Sequence, residues 1–140
     1  MRVEQEMVRQ FQLAFDHPIA KAPTYMQPAR VEQRARWLYE EANEFENATN
    51  LEEQVDAIVD LIYFALGTMV ELGVEAAPVF HIVHQANMGK LWADGRPRFR
   101  DDDGKVVKPS SWKDPAELVT QEIRRQMCSP VESVSEPQTA

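Results

Sequence analysis

One cysteine, five glycines and no uninterrupted apolar run of membrane length define what this 140-residue chain lacks. Cys128 has no second cysteine to form an internal disulfide with, which points to a reducing compartment. The longest apolar stretch, Ile58 to Val70, is interrupted by Asp60 and falls short of the ~20 residues that a spanning helix needs. A transmembrane role is excluded on that ground. The chain does not open on a basic and apolar secretory leader, so the expected location is cytoplasmic. Positive charge is scarce too, with 15 Lys and Arg against 23 Asp and Glu for a net −8, which argues against a general DNA- or RNA-binding module.

The distribution of charge says more than its sum. From Trp37 to Gly89 there is no Lys or Arg, while ten acids fall in that span. From Lys90 to Lys113 seven cations outnumber four acids. An acidic centre followed by a basic loop suits a metal-bound polyphosphate. It equally describes a solvated acidic helix face and a solvated loop.

Hydrophobic spacing predicts an all-α chain. Val3, Met7, Phe11, Ala14 and Phe15 mark an amphipathic first helix ending near Asp16. Pro18, Pro23 and Pro28 impose an irregular loop to about Ala29. Val31, Ala35, Leu38, Ala42 and Phe45 carry a second helix. Thr49 with Glu52, or Asn50 with Glu53, signals the start of a third. That helix is apolar on nearly every side and is expected to be the buried centre, with Gly73 as its stop. Pro78 opens a fourth helix reaching about Lys90. The turn signals Asp94-Gly95 and Asp103-Gly104 follow, where residues 98–100 and 105–108 are able to pair as a short hairpin. Asp114 to Glu117 opens a last helix. Residues 1–127 read as one domain and 128–140 as a polar, disordered tail.

The chemistry concentrates on two helices. Glu40, Glu41 and Glu44 are neighbours across one turn and border the apolar stripe of the second helix. Asp56 and Asp60 lie one turn apart on the third, with Glu53 extending their stripe. Ionised carboxylates in apolar surroundings must be paired, protonated or bound to a metal, and this helix has no Lys, Arg or His to pair them. Four or five of them meeting in one cleft would demand cations, and an all-oxygen donor set favours Mg²⁺ or Mn²⁺ over zinc. His81 and His84 have no further zinc ligands near them in sequence and read as core-edge residues. Asn87 and Lys90, one turn apart, are placed to meet phosphate oxygens.

These residues resemble the all-α nucleoside triphosphate pyrophosphohydrolases related to MazG and to phosphoribosyl-ATP pyrophosphohydrolase. The matching stretches are residues 40–44, Asp60-Leu61-Ile62-Tyr63 with Gly67-Thr68, residues 72–74, 79–80, 84–90 and 103–109. The family's second acidic motif is Glu-x-x-Asp, yet the position three before Asp60 is Ala57, and the acid stands instead at Asp56. Glu53-x-x-Asp56 keeps the spacing in another register. The resemblance implies a MazG-like helical bundle with a short hairpin or irregular loop after the fourth helix. It implies hydrolysis of a nucleoside triphosphate, dUTP or dGTP foremost, between the α and β phosphates. It assigns Glu41, Glu44, Asp56 and Asp60 to Mg²⁺ (or Mn²⁺), Glu40 or Glu41 to accepting the water's proton, and Lys90, Lys105 and Lys108 to the pyrophosphate. Asn87 would fix the sugar or a phosphate, and Trp37 or Trp92 would stack on the base. It further implies a homo-oligomer, dimer or tetramer, in the cytoplasm of a bacterium or phage-infected host. The competing classes are a helical interaction module and a nucleotide-binding regulator with little turnover.

Overall fold

The computed structural model describes residues 1–129. Five helices make up its regular structure: α1 (Arg2–Ala14), α2 (Pro28–Asn47), α3 (Leu51–Glu71), α4 (Ala76–Met88) and α5 (Ala116–Cys128). No strand forms among the described residues, and the class is all-α as the periodicity predicts. The chain divides into two compact units, residues 1–76 with the segment from Gln126, and residues 77–125. Of the 128–140 tail, Cys128 closes α5, and residues 130–140 lie outside the described residues.

In the first unit α3 packs against both α1 and α2. Its start uses the second of the two capping arrangements. Asn50 accepts a hydrogen bond from the Glu53 amide at 2.9 Å, and the Glu53 carboxylate reaches back to the Thr49 amide at 2.7 Å. Gly73 ends the helix at φ +66. The proline-rich loop closes over that end, where Ala20 and Thr24 donate their backbone N–H groups to the carbonyls of Val70 and Leu72. These carbonyls belong to the last turn, which has no partners of its own within the helix.

Two expectations about burial are overturned. First, α3 is not surrounded. Ala57, Leu66, Gly67, Val70 and Glu71 are buried, but Val55, Val59 and Ile62 remain about half exposed. The physical reason is size: α1 and α2 cover only part of an α-helix that is apolar all round. Second, α1 turns its apolar stripe outward. Its buried positions are Gln5, Val8 and Gln12, while Val3, Met7, Phe11 and Phe15 are exposed. The glutamines are drawn inward by backbone groups that need partners. Gln5 donates to the Val74 carbonyl and accepts from the Ala76 amide, and Gln12 donates to the Pro18 carbonyl.

Across α2 and α3 runs a buried ion network. Arg34, 4% exposed, contacts Glu71 at 3.2 Å, and Arg30 contacts the same carboxylate at 2.6 Å. Arg34 also donates to Thr68 and to the Phe64 carbonyl. Burial lowers the Arg34 pKa, with Glu71 opposing that shift, while the hydrogen bonds to Glu71 raise that of Arg30.

In the second unit α4 begins at Ala76, two residues before the expected Pro78. The loop after it makes the anticipated pairing in its smallest form, a single antiparallel bridge between Phe99 and Val106. Gly95 and Gly104 take the left-handed turn positions. No single helix among the described residues is long and apolar enough to cross a membrane.

Candidate active site

The α2–α3 pairing brings Glu40, Glu41, Glu44, Asp56 and Asp60 into one electrostatic neighbourhood. Burial, then the like charges of Glu44, Asp60, Glu40 and Asp56, hold the Glu41 pKa above the usual glutamate value. The Glu41 Oε2 atom is buried and has no hydrogen-bond partner, one of two such side-chain oxygens among the described residues. A carboxylate oxygen in that position calls for a cation or a proton. Ala57 is itself buried at 3% exposure, so the place where the related motif carries Glu is occupied here by a packed methyl group, and the acids flank it.

The two possible registers are physically distinct. The Glu53 carboxylate is engaged by Thr49 through both the backbone N–H and the hydroxyl, which holds its pKa below the usual value. It serves the helix cap. Asp56 is among the acids that act on Glu41.

The donor set suits a hard divalent cation in chemistry, since every donor is a carboxylate oxygen and one of them is buried without a partner. The side chains are not pre-assembled around such an ion: no group of three His, Cys, Asp or Glu among the described residues stands ready to hold one. Binding therefore requires these carboxylates to change rotamer toward one another.

Trp37 is engaged elsewhere. Its ring lies 5.1 Å from both the Arg30 and Arg34 guanidinium carbons and 5.6 Å from the Phe64 ring. Sequence reasoning missed this group; the spacing of Arg30, Arg34 and Trp37 by four and three was the available signal. Beside it a cavity of about 30 Å³ is lined by Gln12, His17, Arg34, Tyr63 and neighbouring apolar groups, and Gln12 Oε1 is the second buried oxygen with no partner. That volume accommodates one water molecule and not a nucleobase.

The remaining candidates belong to the second unit. Lys90 Nζ donates to the Asn87 carboxamide oxygen at 2.7 Å. Lys105 Nζ lies 3.7 Å from Asp103, and Lys108 Nζ stands 3.9 Å from the centre of the Trp112 ring. Trp92 is covered by the Arg98 guanidinium at 4.8 Å. Asp103 is held below its usual pKa by the Lys105 amide and by Arg100, and Asp94 by Arg98. Much of the loop's positive charge is thus balanced locally by its own acids.

An all-helical chain with carboxylates gathered between two helices defines the class of all-α, MazG-like pyrophosphohydrolases. Residues 8–87 match the phosphoribosyl-ATP pyrophosphohydrolase family, and the chain belongs to that family. Among solved structures it is similar to that of a candidate NTP pyrophosphohydrolase from Exiguobacterium sp. 255-15, at 34% identity and a TM-score of 0.52. The alignment covers 89% of this chain and 96% of that one. No curated protein matches the chain.

Proposed function

We propose that the protein is a divalent-metal-dependent nucleoside triphosphate pyrophosphohydrolase, cleaving between the α and β phosphates to release a nucleoside monophosphate and pyrophosphate. The observation that carries this reading is the buried, unpartnered Glu41 Oε2 among four other acids. Glu41, Glu44, Asp56 and Asp60 are the residues assigned to Mg²⁺ or Mn²⁺, which when bound neutralises phosphate charge and activates water. Glu40 and Glu41 are the candidates for accepting the proton of the attacking water. Burial among like charges gives Glu41 the raised proton affinity that a base at neutral pH needs. Lys90, Lys105 and Lys108 would exchange their present partners for oxygens of the leaving pyrophosphate. Asn87 is the proposed contact to the sugar or a phosphate. The substrates proposed first are dUTP and dGTP, the compartment is the cytoplasm, and the working form is a homo-oligomer.

The test is a panel of deoxy- and ribonucleoside triphosphates together with phosphoribosyl-ATP, each incubated with Mg²⁺ and assayed for monophosphate and pyrophosphate. Stoichiometric release of both products from at least one substrate is expected, with loss in Asp60→Ala. Orthophosphate in place of pyrophosphate, or no turnover across the panel, overturns the reading.

A further inference from the structure

We infer that the outward apolar stripe of α1 and the uncovered amino-terminal half of α3 together form the surface on which a second copy of this chain docks. The inference rests on the homo-oligomer part of the proposed function and names the face that makes it. An amphipathic helix ordinarily buries its apolar stripe. Helix α1 does the reverse, leaving Val3 at 69% and Phe15 at 62% exposure while Gln5 and Gln12 go inside.

The two stripes are one surface. Helix α1 runs antiparallel to α3, since Gln5 bonds the segment just after α3 and Phe11 meets Tyr63 edge-on at 5.6 Å. Beyond that contact α1 ends, and Leu51, Val55, Ile58, Val59 and Ile62 continue the apolar face along α3 without cover. None of these positions, nor Val3, Met7, Phe11 and Phe15 on α1, carries a charge. Their exposed side chains amount to on the order of 1,000 Å², against roughly 300–600 Å² for the largest patch on an ordinary monomer. A specific interface takes about 800 Å² from each partner, so the patch is of the right size for one.

The occupant is a second copy because the patch is permanent. A surface this apolar must be covered as soon as the chain folds, and a copy of the same chain is always at hand; obligate homodimers have interfaces of this composition. Residues 51, 55, 58 and 62 follow the 4-3-4 spacing of a helix seam, which a twofold axis would set against itself.

Sedimentation equilibrium at micromolar concentration tests this on the full chain, with Met7→Glu, Ile62→Glu and the conservative Ile62→Leu, and circular dichroism confirms helical content. The wild type and Ile62→Leu are expected at twice 16.1 kDa or a higher multiple, and both Glu variants at 16.1 kDa. A monomeric wild type overturns the oligomer and this surface alike. An oligomeric wild type whose folded Glu variants stay associated overturns the surface alone. Hydrogen exchange of the wild type on dilution reads the same face without substitution: protection must fall in residues 3–15 and 51–63, and a loss confined elsewhere counts against the proposal. Pyrophosphate release is scored separately, so an inactive dimer counts against the enzyme reading only.

Discussion

Glu41 carries opposing demands that can be separated by pH. Burial and four neighbouring acids raise its pKa, so the folded state binds this proton more readily than the unfolded chain. The sign of the linkage follows: stability falls as pH rises from the ordinary carboxylate range through the raised Glu41 pKa. Glu41→Gln removes that loss. In metal-free buffer the variant is expected to melt above the wild type at neutral pH, the gap closing below about pH 4, where Glu41 is protonated in both states. Calorimetric melts across pH check this, and a gap that does not vary with pH refutes it. Glu53 and Asp56 make a second pair of contrasting residues. Asp56→Asn is expected to lower kcat/KM by about 100-fold or more, on the scale of disrupting a metal site. Glu53→Gln should leave kcat/KM near wild type and cost about 1 kcal/mol of stability through the weakened cap. The reverse order of activities would assign the displaced ligand to Glu53.

At the scale of elements, the helices were legible in the sequence and their facing was not. Asn50, Glu53 and Gly73 mark the ends of α3 because caps are local hydrogen-bond and backbone requirements. Which side of α1 faces inward is a tertiary question. Val3, Met7, Phe11 and Phe15 form a correct helical stripe, yet the single chain offers it no surface, and Gln5 and Gln12 take the inside by satisfying backbone groups up to 71 residues away. The acids of the site were readable from their placement on two adjacent helices; the Arg30–Glu71–Arg34 network was not, since Glu71 lies 41 and 37 residues from its partners. Gly73 gives the element-scale prediction. Any Cβ there would sit 2.2 Å from the Ala22 carbonyl oxygen and face a φ of +66 besides. Gly73→Ala is therefore expected to cost roughly 2–4 kcal/mol, combining left-handed strain with a backbone clash. Denaturant titration should show the midpoint lowered with the slope unchanged.

For the whole molecule, the proposed metal site makes stability depend on divalent cations. The folded chain gathers carboxylates that the unfolded chain keeps apart, so Mg²⁺ at a hundred times its dissociation constant should add about 2.7 kcal/mol. That is a rise of several degrees in Tm for a chain of this length. A non-hydrolysable triphosphate should add to the shift only with Mg²⁺ present, because its charges otherwise meet an acidic cleft. Melts in EDTA, Mg²⁺, analogue and both decide it; an unchanged Tm at millimolar Mg²⁺ removes the physical basis of the metal site. The outward stripe of α1 has a consequence of another kind. If an apolar face of this size is covered only by a twin, folding obeys mass action, and a chain at low copy number is less stable than the same chain at high copy number. The abundance of the protein in its cell then becomes one of the terms that hold it folded, and dilution alone, with no heat or denaturant, loosens it.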